Sequence, residues 1–486
     1  MKVTDQSHKW WALAAVGSGV FMSTVDGSIV NIALKTLQDY FGAGLHEVEW
    51  VVLAYLLAIT CLLPSMGRLG DMIGKRRVYL AGFVVFTVGS ALCGLSWNVS
   101  ALVAFRVLQA VGAAMLQSLG PALLVTAFPP EERGVALGYT GTIVAAGILT
   151  GPVLGGLLLR SVGWQSIFYV NIPIGIAAIL LSLRALPDDR RRTQQRFDLP
   201  GAGLLAGGLL LVLLALTEGQ VWGFGDWRTF AVLAAGTLGL VGFVLWERRA
   251  AAPMINLSLF RSMTFSLSLL AAFMAFLASA FNFLLLPFYL QNVLGFDPQR
   301  TGLTLIASPI ALSLVSPISG RLSDRFGARW LGVVGLSFTA LGLASFATLT
   351  TASTQLDVIL RLLLMGVGFG LFQSPNNSTI MGSAPRSALG VASSLLAVMR
   401  TLGQTTGVAV AGAVWAALVT SAAGRLYEPI TSAPPEALVA GLHGAMIMGA
   451  TLAAIGIVPT LLRSRPAVAE QAAERRVSRV DATGQD

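Results

Sequence analysis

The chain has 486 residues, of which 55% are apolar and only 11% charged, with a formal net charge of +9 and a mean hydropathy of +0.75. So little charge over that length excludes an ordinary soluble enzyme or binding domain. The apolar runs each approach the roughly 20 residues a helix needs to cross hydrocarbon, which places the chain among all-α polytopic membrane proteins. The excess Lys and Arg gather in short clusters between apolar runs rather than in one patch, so they read as topology signals and no nucleic-acid partner is expected.

In chain order, fourteen spans begin near residues 10, 48, 78, 100, 135, 166, 200, 229, 264, 301, 330, 355, 390 and 440. Lys2, His8 and Lys9 precede the first run, which continues past Leu34 without a convincing cleavage site and carries Asp26. It reads as a span and not as a leader to be removed. With the N-terminus inside the cell, most of the 32 Lys and Arg fall on the cytoplasmic side, including Lys75, Arg76 and Arg77 after span 2 and Arg190, Arg191, Arg192 and Arg196 after span 6. An even number of spans then puts both termini in the cytoplasm.

Span 1 contributes Asp26, and span 4 contributes Arg106. A carboxylate within a span costs about 2.5–3.5 kcal/mol on insertion scales, so it is expected to face a partner or a wet cavity. At 1.5 Å per residue, Asp26 lies roughly 6 Å to the external side of the midplane and Arg106 roughly 9 Å to the same side. A direct or water-bridged pair is therefore expected. Two readings of it stay open: a carboxylate that exchanges a proton as the arginine holds and releases it, or a permanent structural ion pair.

The end of span 2 reads Gly67-Arg68-Leu69-Gly70-Asp71-Met72-Ile73-Gly74, and 253 residues further on the chain reads Gly320-Arg321-Leu322-Ser323-Asp324-Arg325-Phe326-Gly327. Arg106 has a counterpart in Arg361, and Gly147 and Gly151 in Gly403 and Gly407, at nearly the same spacing. These ordered repeats divide the chain into two parallel six-helix bundles, 10–186 and 264–463, with the substrate site expected between them. A cytoplasmic stretch, 1–9, precedes the first bundle; 187–263 links the bundles through two inserted spans; and 464–486 forms a charged cytoplasmic tail.

The motifs carry a family resemblance. GRLGDMIGKRR, Gly67 to Arg77, is similar to the loop between spans 2 and 3 of the major facilitator superfamily. Helix 5 carries Gly147, Gly151, Pro152, Gly155 and Gly156 in GILTGPVLGG, which resembles the antiporter motif of that superfamily. DGSIVNIAL from Asp26 and WQSIFYVNIPIG from Trp164 resemble segments of its fourteen-helix drug:H+ antiporters, exporters of drugs and antibiotics. The chain departs from those patterns at Lys35, where a proline usually stands, and at Ala110, where a glycine does.

The resemblance implies a major-facilitator fold of fourteen transmembrane helices in the cell membrane, with the expectation of a monomer. It also implies a cytoplasmic gate formed by the loop and its copy: Gly67, Arg68, Asp71, Gly74, Lys75, Arg76 and Arg77 against Gly320, Arg321, Asp324, Arg325 and Gly327. If the carboxylate of span 1 does exchange a proton, Asp26 and Arg106 are the expected proton-coupling pair.

No ATP-binding loop is present, so no cofactor is expected and the proton gradient is left as the energy source. Cys61 and Cys93 lie inside apolar runs, and His8, His46 and His443 near span ends far apart in sequence, so neither a metal site nor an enzyme's cluster is expected. Asn31, Gln109, Gln117, Asn282, Gln373, Asn376, Asn377 and Gln404 are candidate polar cavity residues, with Arg400 as a further deep charge and Phe281, Phe283 and Phe372 as apolar surface. With Asp26 the one carboxylate deep in a span, small amphiphilic monocations or neutral compounds are expected over dications. An endogenous lipid or metabolite is the alternative cargo.

Overall fold

The computed structural model describes residues 6–186, 197–223, 225–250, 252–425, 427 and 430–463. The arginine run 190–196 and the tail 464–486 lie outside the described residues, as do residues 1–5 of the N-terminal segment. Among the described residues, fourteen helices are long and apolar enough to cross a membrane. They are α1 (Gln6–Phe41), α2 (Leu45–Ile73), α3 (Lys75–Gly94), α4 (Val99–Ala127), α5 (Arg133–Ser161), and α6 (Ser166–Tyr169 continued by Asn171–Ala185). The inserted pair is α7 (Leu199–Trp222) and α8 (Trp227–Glu247). The second set is α9 (Met263–Phe288), α10 (Pro298–Leu305 continued by Ala307–Phe326), α11 (Ala328–Ser345), α12 (Gln355–Ser383), α13 (Leu389–Ala423), and α14 (Pro435–Ile455 continued by Ile457–Leu461).

Long apolar runs take this form because hydrocarbon offers no partners to the backbone, and a helix satisfies its own N–H and C=O groups. Polar residues at the run ends close the first turns. Asn98 accepts from the Ala101 amide, Asp198 from Gly201 and Asp297 from Arg300, while Thr354 and Asp357 form a reciprocal capping box. The sequence repeat returns as geometry. Gly74 ends α2 at φ 109° and Gly327 ends α10 at φ 90°, a region that favours glycine, and each N–H closes the preceding helix onto the carbonyl four residues back.

Packing follows the same period. In the first bundle α1 packs on α4 and α5, α2 on α4, and α3 on α4; in the second, α9 packs on α12 and α13, α10 on α12, and α11 on α12. The bundles touch through α2 with α13 and α5 with α10, a pair of contacts that the eight-helix offset exchanges. Helix α7 packs on both α2 and α13. The end bearing the α2–α3 and α10–α11 turns carries Lys75, Arg76, Arg77, Arg321 and Arg325, and is called the basic end below.

Candidate functional site

The deepest polar cluster forms where α1, α4 and α6 meet. Asp26 and Arg106 are both 0% exposed, with Arg106 Nη1 2.5 Å from Asp26 Oδ2. Two amides complete the carboxylate: Gln109 Nε2 and Asn171 Nδ2 each donate to Asp26 Oδ1 at 2.9 Å. Gln109 also donates to Ser90 Oγ at 2.6 Å and accepts from Arg106 Nη1 at 2.7 Å. The guanidinium donates through Nε to the Val51 carbonyl and lies 3.8 Å from the Tyr55 ring centroid.

A buried pair of this kind roughly breaks even while intact, whereas deleting one partner costs about 3–5 kcal/mol. Three buried polar atoms of the cluster have no hydrogen-bond partner: Asn171 Oδ1, the Tyr55 hydroxyl and Arg106 Nη2. An amide that donates to an ionised carboxylate through Nδ2 accepts from a protonated one through Oδ1 after a flip. The cluster therefore has hydrogen bonds available for either protonation state of Asp26.

The glycines of α5 press against the same stretch of α1. A Cβ at Gly147 would meet Thr24, one at Gly151 would collide with Ser28, and one at Gly155 would meet Ile29, while Gly156 faces open space. Ser28 Oγ donates to the Gly147 carbonyl at 3.3 Å. The stripe thus brings α5 to within backbone distance of the helix that carries Asp26. The Pro152 side chain lies outside the description.

At the basic end, Asp71 joins the bundles. Its carboxylate accepts from the amides of Gly390 and Val391, both at 3.0 Å, in the first turn of α13. Lys75 Nζ lies 2.8 Å from it, and both side chains are nearly fully buried. An anion at a helix start satisfies N–H groups that have no helical partner. Gly67 makes this approach possible, since a Cβ there would run into the Gly390 carbonyl.

The matching contact on α5 and α10 is built differently. Gly320 abuts the Gly134 carbonyl, Ser374 Oγ donates to that same carbonyl at 2.8 Å, and Thr142 donates to the Ser313 carbonyl at 2.7 Å. Arg76 donates to the Leu183 carbonyl of α6, Arg68 is half-buried, and Arg77, Arg321 and Arg325 are exposed. The Asp324 side chain lies outside the description. The Asp71 latch and the Gly320–Gly134 contact lie at the basic end, so the bundles are closed there.

The candidate cavity residues separate into groups. Gln109 belongs to the Asp26 cluster. Phe281 is 0% exposed and Phe372 1%, so neither offers free surface; Phe281 packs against Gly449 of α14, which corrects its assignment to a cavity wall. Helical periodicity marks an apolar face without saying which neighbour covers it. Asn376 is 1% exposed, donates to the Ser268 carbonyl and accepts from Arg463, so its amide is committed. Burial pushes the Arg463 guanidinium, beyond the last span, down to about 10.

Gln373 and Asn282 are buried, each with its carbonyl oxygen unbonded, and Asn377 is buried too. Gln117 and Arg400 are half-buried; Asn31, Phe283 and Gln404 are exposed. Arg361, the counterpart of Arg106, has no deep carboxylate beside it; it donates to the Ser345 carbonyl at the end of α11 and to the Asp357 carbonyl one turn back on its own helix. Asn171 and Tyr55 were not singled out as site residues from sequence, although Asn171 stands inside WQSIFYVNIPIG. Among the described residues no group of His, Cys, Asp and Glu is placed to hold a metal ion.

The comparisons agree with this architecture. The chain matches the Major Facilitator Superfamily over residues 16–408 and again over 269–480, and it belongs to that family of transporters. It is 35% identical to a riboflavin transporter of Clostridioides difficile (strain 630), over 94% of this chain and 98% of that protein. It is 37% identical to the tetracenomycin C resistance and export protein of Streptomyces glaucescens, over 85% of this chain and 77% of that one. A solved proton:xylose symporter shares the fold with a TM-score of 0.63 at 13% identity, covering 93% of this chain and 95% of that one. The chain is a multi-pass membrane transporter and not an enzyme.

Proposed function

We propose that this transporter exports small amphiphilic compounds in exchange for protons by alternating access, with the basic end in the cytoplasm. The observation that carries the reading is the buried Asp26 held by Arg106, Gln109 and Asn171. Burial penalises an ionised carboxylate and an adjacent guanidinium supports it, so any movement that changes the Arg106 contact changes proton affinity. In this reading a proton arriving at Asp26 frees Arg106, Asn171 turns its oxygen to the new O–H, and α1 shifts against the glycine stripe of α5. The bundles 10–186 and 264–463 then rock about the space between them while the Asp71 latch opens. The export activity named for the Streptomyces relative supports the direction of transport.

Reconstitution into liposomes with a pH probe inside tests this. Under an imposed proton gradient, wild type is expected to move protons when a transported amphiphilic dye, of either charge, is added, and Asp26→Asn is expected not to. Equal coupling in both proteins would remove Asp26 from the role. The riboflavin transporter relative favours a second reading, in which the same scaffold carries an endogenous metabolite. Competition between riboflavin and the dye for uptake distinguishes the two.

A further inference from the structure

The arginines of the two bundles are held differently. Arg106 is paired with Asp26, Arg361 is bound to backbone carbonyls, and Arg463 to Asn376. Arg400, on α13, is half-buried and has no hydrogen-bond or ion-pair partner among the described residues. Its one recorded contact is aromatic: the guanidinium carbon lies 5.0 Å from the Phe276 ring centroid. Phe276 on α9 meets Phe369 on α12 edge to face, with centroids 5.1 Å apart and planes at 86°. Both rings are half-buried, and each lies at the middle of its helix.

Two of the three helices that carry the cluster, α12 and α13, reach the first bundle. Helix α12 packs on α5, and α13 packs on α2 and α4. Arg400 lies ten residues beyond Gly390, roughly 15 Å further from the basic end by helix rise, and so above the closed latch. Gln404, one turn further along α13, is exposed. An unpaired guanidinium at mid-span is costly against lipid and is kept where it meets water or a partner between bundles.

The contact with the Phe276 ring leaves the guanidinium N–H groups without a protein acceptor among the described residues, and such a group presents paired N–H donors to a carboxylate. We propose that Arg400 receives the anionic group of the transported compound, with Phe276 and Phe369 taking its aromatic body, so that the preferred cargo is a planar amphiphile with one negative charge. Asp26 reinforces this, because its oxygens are enclosed by three donors and none is offered to a cation. Anion export in exchange for an entering proton is also driven twice by an inside-negative potential, whereas a monovalent cation exchanged for one proton gains nothing from it.

This rests on the reading that the space between the bundles is the substrate path, and does not depend on proton exchange. The test uses the purified full chain in detergent without a gradient, and the fluorescent pair 9-anthracenecarboxylate and 9-anthracenemethanol. Wild type is expected to bind the carboxylate at least tenfold more tightly, Arg400→Gln to bind both alike, and Arg400→Lys to keep part of the preference. A separate variant, Gln404→Cys, retains Arg400; its introduced thiol should be shielded from a maleimide by the carboxylate and not by the alcohol. That keeps the site testable if Arg400→Gln does not fold.

No preference in wild type, an undiminished preference in folded Arg400→Gln, or no selective shielding of the thiol in Gln404→Cys would overturn the assignment. Proton movement, read separately in liposomes, distinguishes the two claims. Carboxylate preference without proton release removes the exchange mechanism and leaves Arg400 in place, while proton release without the preference does the reverse.

Discussion

Replacing Asp71 by Asn should unlatch the basic end. The carboxylate accepts two amides of α13 at 3.0 Å, whereas an asparagine has one acceptor and turns an NH2 group toward the second amide. The Lys75 partner sits in the same bundle as Asp71, so that pair is present whether the end is open or closed and cancels from the difference. What remains is one lost hydrogen bond to a charged group, about 1.5–3 kcal/mol, and the lost attraction to the start of α13, about 0.3–1 kcal/mol.

Together these shift the closed-to-open ratio by about 2–4 kcal/mol, or roughly 30- to 700-fold. Nitroxide labels on cysteines placed at exposed Arg77 and Arg386, one in each bundle, read the change as an interspin distance. The native Cys61 and Cys93 are buried and should stay unlabelled. A longer-distance population should dominate in Asp71→Asn. An unchanged distance distribution would refute the latch argument, because the label pair spans that contact and no other is altered.

Asn171→Leu removes a donor from buried Asp26 and should destabilise the fold by about 1–3 kcal/mol; a thiol-reactive dye reporting on buried Cys93 measures the fall in unfolding temperature, and no fall would mean the amide is dispensable there. Arg106→Met leaves Asp26 buried without its cation and should cost about 3–5 kcal/mol by the same assay. Arg463→Met should be nearly neutral or stabilising, since it removes a buried charge with two unbonded nitrogens and Asn376 keeps its bond to Ser268. Gly320→Val would drive a side chain into the Gly134 carbonyl, so substrate transport should fall sharply while the protein still elutes as a folded species. Normal transport by that variant would show that the α5–α10 contact need not close.

Much of the fold was readable because the bilayer imposes one simple rule on every span. The expected starts at 48, 166, 264 and 355 compare with helices that begin at Leu45, Ser166, Met263 and Gln355. The pairing of Asp26 with Arg106 was readable for a related reason, since helix rise converts sequence position into depth and only those two opposite charges shared a level. Asn171 was not readable that way. It lies at a break in α6, after the turn at Val170, where counting from a span midpoint loses its register. Phe281 was misplaced because a ring on an apolar stripe looks the same whether it faces an opening or the small residues of the next helix.

The inserted helix α7 makes the two sides of the transporter unlike. It lies across α2 and α13 and so covers one of the two joints between the bundles, whereas the third helix that meets both α5 and α10 is α12, a member of the second bundle. A membrane-borne cargo approaching sideways would meet α7 at the α2–α13 joint and only the bundles' own helices at the α5–α10 joint.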